Sequence, residues 1–330
     1  MSSLVNWLGA VAAGSLAMVT CPGGGHEGAV PQAATRTDAA RARHLEPSDR
    51  LGDLLEHPAF AGFARMLLPW DGRAYDERMP LTEIASLLPY HSHVRPGVAV
   101  DALNRMIDDA GRGRTIFYPL RDGVGLFHFR GKPGAPFAVV SPGGGFSYVG
   151  ALHEGFPYAV EINRHGYNAF VLRYRAGRGA QAATEDLASA IAFIRRHAER
   201  LDVDAEHYSL WGSSAGARMA ASVGSHGTAR YGAASDDSKP AAVIMAYTGH
   251  SDVTSNEPPT FVVVGEEDRI VPPAVMERRV SALRNAGTVV EYRKYQGVGH
   301  GFGLGTGTNA EGWAALAVKF WERAMRPRRP

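Results

Sequence analysis

The chain has 330 residues, with 35 Lys+Arg against 33 Asp+Glu and a formal net charge of +2; phosphate-driven nucleic-acid binding, which draws on a clustered basic excess, is thereby excluded as its main activity. Hydrophobic residues make up 45% and charged residues 21%, the balance of a chain with a large core, which excludes wholesale disorder. Its one cysteine, Cys21, allows neither an intramolecular disulfide nor a zinc-cysteine site.

Leu4 to Val19 is mostly apolar and runs up to Cys21, the layout of a lipoprotein-type signal segment. Against that layout, no Lys or Arg precedes Arg36, and Met18, Val19 and Thr20 stand where small residues belong. Residues 1–44 are therefore read as a disordered extension of a cytoplasmic protein, with export or lipid anchoring through Cys21 as the alternative. The apolar stretch is short for a membrane span, so no stable membrane insertion is expected.

From Leu45 to Arg112 the pattern is one of short helices broken by prolines, with Leu51, Leu54 and Leu55 in one piece and Val98, Leu103, Met106 and Ile107 in another. This stretch reads as a helical N-terminal appendage, packed rather than a site itself. At Gly113 the texture changes to short apolar β-rich runs alternating with helical patterns, which marks α/β units around a mostly parallel sheet. Eight strands are predicted: Thr115 to Tyr118, Leu126 to Phe129, Phe137 to Ser141, Ala169 to Tyr174, Tyr208 to Trp211, Ala242 to Ala246, Phe261 to Val264 and Val289 to Tyr292. Among the helices between them, Leu187, Ile191, Ile194, Ala198 and Leu201 recur at helical steps and define one apolar stripe. A closing helix presents Trp313, Leu316, Ala317, Phe320 and Trp321 to the sheet.

Chemistry is concentrated after four of the strands. Pro142-Gly143-Gly144-Gly145-Phe146 follows the third, and its glycines leave backbone N–H groups unobstructed to meet an oxyanion. The run lacks the lysine and the spacing of a phosphate cradle. Gly212-Ser213-Ser214-Ala215-Gly216 lies between a predicted strand and the helical run Ala217 to Val223, the setting in which a tight turn lifts Ser214 Oγ clear of the backbone. A helix N-cap is the alternative for that serine. A serine hydroxyl needs a base, and the base a carboxylate to hold its tautomer. Asp268 after the seventh strand and His300 after the eighth supply them in the order Ser, acid, His; Glu266 and Glu267 are rivals for the acid, ranked below Asp268 because they sit hard against the strand end. With Gly144 and Gly145, the amide of Ala215 completes a predicted oxyanion hole. Phe146, Tyr148, His153, Glu154 and His250 lie where a pocket wall could form. The thirteen histidines, His91-Ser92-His93 among them, come with no metal-ligand spacing, and no metal is expected.

The stretches Ser141-Pro142-Gly143-Gly144-Gly145-Phe146-Ser147-Tyr148, Gly166 to Tyr174, Gly212 to Gly216 and His300-Gly301-Phe302-Gly303 together resemble the α/β-hydrolase esterases. Within them the likeness is to small bacterial acetyl-xylan-esterase-like and bifunctional feruloyl/acetyl esterase-like proteins near the hormone-sensitive-lipase branch. It covers roughly Ile116 to Met325. Pro142 stands where lipase-like relatives usually carry the histidine of His-Gly-Gly-Gly. The resemblance implies an α/β-hydrolase fold, with a mostly parallel eight-stranded sheet covered by helices on both faces in residues 113–330. It further implies a serine esterase that needs no cofactor and acts on a small-molecule or acylated-carbohydrate ester. A serine peptidase or amidase of the same fold, and a catalytically silent binding protein, are the rival readings.

Overall fold

The computed structural model describes residues 43–89, 93–233 and 239–326. All but the last two residues of the expected extension, together with His91-Ser92 and the terminal Arg328-Arg329, lie outside them. The eight strands are β1 (Phe117–Arg121), β2 (Val124–Phe129), β3 (Pro136–Ser141), β4 (Asn168–Arg173), β5 (Asp204–Ser213), β6 (Ala242–Ala246), β7 (Thr260–Gly265) and β8 (Val290–Tyr295). They form one sheet in the order β1-β2-β4-β3-β5-β6-β7-β8. β1 and β2 pair antiparallel, as do β2 and β4, and every later pairing is parallel. β2, β4, β6 and β7 are buried along their whole length, which is why they read as mostly apolar runs. β5 begins four residues before its predicted start because its first half, Asp204 to His207, is polar and partly exposed.

The helices are α1 (Leu51–Leu55), α2 (Pro96–Gly111), α3 (Phe156–Arg164), α4 (Gly179–Arg196), α5 (Ala198–Leu201), α6 (Ala215–His226), α7 (Pro273–Asn285) and α8 (Trp313–Met325). α3 packs with α2 and α8, and α4 with α6, as two separate layers over the sheet. Two helical expectations need correction. The stripe ending at Leu201 is not on one helix, since α4 stops at Arg196 and the short α5 follows after His197. On α8, Leu316 is 39% exposed, while Ala314 and Val318 are buried, so the face turned to the core is rotated from the predicted one.

The segment before Gly113 is not set apart from the sheet. Leu51, Leu54, Phe60, Leu67, Leu81, Leu103 and Met106 are buried in the same hydrophobic core as the strands, and Phe63 stacks on Phe117 of β1 at 4.7 Å. The described residues belong to one compact unit. The change of texture at Gly113 therefore marks a change of element type within one core. None of the described helices is long and apolar enough to cross a membrane.

Register decides where the loops meet. Ser141 of β3 pairs with Gly212 of β5, and Ser213 of β5 pairs with Ala246 of β6. Three strand ends thus stop side by side, as parallel strands do at the carboxyl edge where α/β sheets place their sites. The loops after β7 and β8 are joined by Glu266 N–H to Tyr295 O at 2.8 Å and Glu267 N–H to Val298 O at 3.0 Å.

Candidate active site

Ser214 connects β5 to α6 with φ 49° and ψ −117°, a conformation costly for a residue with a side chain and kept only where its surroundings enforce it. Two glycines allow the turn. A Cβ on Gly212 would lie 2.3 Å from the backbone of Gly216, and one on Gly216 would lie 1.9 Å from the carbonyl oxygen of Ser141. The start of α6 consequently rests directly on the end of β3. The N-cap alternative for Ser214 does not hold, as its side chain makes no capping bond; its hydroxyl instead lies 3.0 Å from His300 Nε2.

His300 Nδ1 is 2.7 Å from Asp268 Oδ2. A carboxylate only accepts, so Nδ1 carries the proton and Nε2 turns its lone pair to the Ser214 hydroxyl. Asp268 is held in turn, its Oδ1 accepting the N–H groups of Ile270 at 2.9 Å and Val271 at 2.8 Å. The side chains of Asp268 and His300 are 0% and 6% exposed, which shields their contact from water and ions. Glu266 and Glu267 are exposed. Of the three acids in the loop, Asp268 is the one that reaches the imidazole.

The glycine run stands opposite. Gly144 has φ 140°, and a Cβ there would fall 2.0 Å from Tyr148 O; Gly145 follows at φ 57°. Among the described residues the amides of Gly144 and Gly145 find no protein acceptor. Ala215, as the first residue of α6, has an N–H with no partner inside the helix. Three donors are thus left available at the serine, the arrangement that can stabilise an oxyanion.

A pocket of about 300 Å³ opens over Ser214, His300 and the glycine run, with Trp70, Leu88, Pro89, Tyr148 and Ile270 as its apolar wall. Tyr148, His153 and Glu154 line it. Phe146 does not: with φ 62° after Gly145, it turns onto the core. His250 does not line it either. It is buried, and burial followed by the charge of Arg279 pushes its pKa down to about 4. The larger surprise is Trp70, Leu88 and Pro89, which bring the N-terminal segment into the pocket and correct its reading as a packed appendage rather than part of a site. Trp70 packs on Tyr148 at 4.8 Å. An isolated tryptophan in an irregular segment carries no periodicity, and nothing in its neighbourhood could have flagged it.

Glu154 also centres a buried polar cluster that the motifs do not announce. Glu154 Oε2 accepts the Gly143 N–H at 2.5 Å and the Ser213 hydroxyl, and Oε1 accepts the Tyr247 hydroxyl at 2.9 Å. Tyr158 meets Tyr247, oxygen to oxygen, at 3.0 Å, and Gly303 N–H donates to Tyr247 at 3.2 Å. Burial, then the charge of Glu154, raises both phenols far above their ordinary range, so each stays a donor. His153 Nε2 bonds Gly301 O at 2.6 Å, next to His300. No group of three or more His, Cys, Asp or Glu side chains able to hold a metal ion occurs among the described residues.

A family model described as BD-FAE matches residues 131–248, and one described as prolyl oligopeptidase family matches residues 225–328. Endo-1,4-beta-xylanase B of Butyrivibrio fibrisolvens is 27% identical over 231 residues, 58% of this chain and 36% of that protein. An acetylxylan esterase of Xylanibacter ruminicola is 25% identical over 204 residues, 53% of this chain and 42% of that protein. The chain therefore spans less than half the length of these relatives. Among solved structures, an acetyl ester-xyloside bifunctional hydrolase from Caldicellulosiruptor lactoaceticus superposes with a TM-score of 0.54 at 23% identity, covering 62% of this chain and 89% of that one. At that identity the likeness is one of fold.

Proposed function

We propose that this chain, an α/β-hydrolase by fold, is a serine carboxylic-ester hydrolase that cleaves short acyl esters, with acetylated sugars as the substrate class to try first. The observation that carries the reading is the unbroken chain Asp268, His300, Ser214 at 2.7 and 3.0 Å, facing unpaired amides across a pocket. In this scheme Ser214 Oγ attacks the ester carbonyl and its proton passes to His300 Nε2. The carbonyl oxygen, now negative, is met by the N–H groups of Gly144, Gly145 and Ala215. His300 returns the proton to the departing alcohol, leaving an acyl group on Ser214. Water then attacks the acyl carbon as His300 Nε2 takes its proton, and the imidazolium returns that proton to Ser214 Oγ as the acyl–oxygen bond breaks and the acid leaves. Asp268 keeps Nδ1 protonated throughout and stabilises the imidazolium that forms twice per cycle.

Two further observations favour a short acyl group on a bulkier alcohol. The pocket is about 300 Å³ and is bounded by the large side chains of Trp70 and Tyr148, and a pocket of that size lies at the small end of ligand sites. The names of two relatives, acetylxylan esterase and acetyl ester-xyloside hydrolase, point to acetyl groups on sugars. The peptidase reading draws on the prolyl oligopeptidase family match alone.

The test is hydrolysis of p-nitrophenyl acetate, butyrate and octanoate by wild type, Ser214→Ala and Asp268→Asn, beside an acyl-peptide p-nitroanilide. Ser214→Ala is expected to lower kcat by about 10⁴ or more, and Asp268→Asn by somewhat less. Rates should fall with acyl length, and the anilide should be cleaved far more slowly than the acetate. A folded wild type as inactive as Ser214→Ala would overturn the reading. An Asp268→Asn variant at wild-type rate would remove Asp268 from it.

A further inference from the structure

We propose that Glu154 is a positioning residue that ties the oxyanion loop, the nucleophile turn and the histidine loop into one rigid frame, an assignment that rests on the esterase reading above.

The carboxylate sits on the single π-helical turn Ala151–Gly155, just ahead of α3, and is 5% exposed. Such turns, with one residue more than an α-helical turn, are common where a side chain must be aimed at a site. Each of its three neighbours is a donor, so Glu154 accepts throughout. Those neighbours come from three different loops. Gly143 N–H belongs to the glycine run after β3, Ser213 Oγ to the residue before the nucleophile, and Tyr247 Oη to the residue just past β6. Tyr247 passes the link on, since its oxygen takes the N–H of Gly303, three residues beyond His300. The neighbouring His153 reaches the same loop at Gly301 O. One turn of backbone therefore contacts every loop that carries a reacting group except the one holding Asp268.

The consequence falls on the amides. By accepting the Gly143 N–H, Glu154 anchors the first amide of the run, while those of Gly144 and Gly145, which also line the pocket, remain unpaired among the described residues. The space is filled closely: a Cβ on Gly143 would come within 2.8 Å of Glu154 Oε2 and 3.1 Å of Ser214 Cβ. Donors that are preorganised need not move as charge develops on the substrate, whereas a loop free to shift loses that advantage. Tyr247 lies at φ 36°, a strained position that its bonds to Glu154, Tyr158 and Gly303 hold in place.

The experiment compares Glu154→Ala and Glu154→Gln with wild type, counting competent serines by stoichiometric release of p-nitrophenolate from a p-nitrophenyl alkylphosphonate. Hydrolysis of p-nitrophenyl acetate is then expressed per titrated site. Removing one oxyanion donor outright costs about 10²–10³ in kcat, so a loosened pair should cost about 10 to 100-fold. Glu154→Ala is accordingly expected to lose about that much kcat per site, with KM changed less than about threefold. Glu154→Gln should recover most of the loss, because its carbonyl can still accept from Gly143 while its amide donates to the Tyr247 oxygen. A variant with fewer titratable serines but wild-type kcat per site has suffered only a structural loss, and overturns the proposal. If Glu154→Ala fails to fold, Ser213→Ala and Tyr247→Phe each remove one arm of the frame; unchanged kcat per site in both overturns it as well. A wild type that neither hydrolyses the acetate nor reacts with the phosphonate overturns the esterase reading and this assignment together. An active wild type matched by Glu154→Ala overturns the assignment alone.

Discussion

His128 shows how one side chain links burial to pH. It lies in β2, stacked on Phe170 at 4.1 Å, with Nε2 3.4 Å from Asn168 Oδ1. Nδ1 is buried with no partner among the described residues. Burial, then the charge of Arg130, pushes its pKa down to about 3. An unfolded chain takes up that proton near pH 6.5, so between about 6.5 and 3 the unfolded state binds more protons than the folded one. His250, pushed down to about 4, acts in the same direction. Stability from these two groups is therefore complete above about pH 6.5 and is lost progressively as pH falls toward 4 and then 3. Thermal unfolding followed from pH 7.5 to 4 should show Tm falling, and His128→Phe, which keeps the stacked ring, should make the fall shallower. A slope identical to wild type would mean that His128 is not the group titrating.

At the scale of elements, the contact that matters most is the start of α6 against the end of β3. A strand and a helix can come this close only when neither Gly212 nor Gly216 carries a side chain, because the atoms in the way are backbone and have nowhere to go. Gly216→Ala is expected to destabilise the fold by about 2 kcal/mol or more and to cut kcat at least tenfold, since relief of the overlap must displace Ser214 or the glycine run. Denaturant unfolding together with p-nitrophenyl acetate kinetics would check it. A variant with normal stability and normal rate would show that the turn has room to spare. Gly145, exposed and with open space around its Cβ, differs: its constraint is the left-handed φ of 57° alone, so Gly145→Asn should be tolerated better than Gly216→Ala.

At the scale of the whole molecule, the N-terminal segment is both core and pocket wall. Arg173, at the end of β4, is fully buried, and its Nη1 donates to Leu68 O at 2.9 Å and Pro69 O at 3.3 Å, while Nη2 pairs with Asp71. These bonds bind the segment that carries Trp70 to the middle of the sheet. The Pro69 carbonyl also accepts the N–H of Val149, just past the glycine run. Replacing Arg173 by Ala leaves a hole and several carbonyls without donors, so a loss of about 3–5 kcal/mol is expected. KM for p-nitrophenyl acetate should rise with it as Trp70 loosens. Chemical denaturation and steady-state kinetics of Arg173→Ala would test both, and unchanged values would mean that the segment is held by its apolar contacts alone.

The α/β alternation, the eight strands and the order Ser214, Asp268, His300 could be read from the sequence because each rests on local chemistry. Strand burial writes itself as apolar runs, helical faces as spacing, and a tight nucleophile turn as a pair of glycines two residues either side of a serine. What required the tertiary structure has no such local trace. The sequence ranks Asp268 above Glu266 and Glu267, but the contact of its carboxylate with an imidazole 32 residues later, at 2.7 Å, is set by the fold. Leu316 and Phe146 lie in other surroundings than their sequence positions predict, because spacing marks a helical face only to within a side chain, and position in a loop does not say which way that loop turns. Trp70 in the pocket, and the bonds of Glu154 to Ser213 and Tyr247, come from long-range packing between elements separated by many residues. Only a folded chain defines such contacts, because they depend on where the strand ends stop relative to one another, and that is decided by sheet order and register.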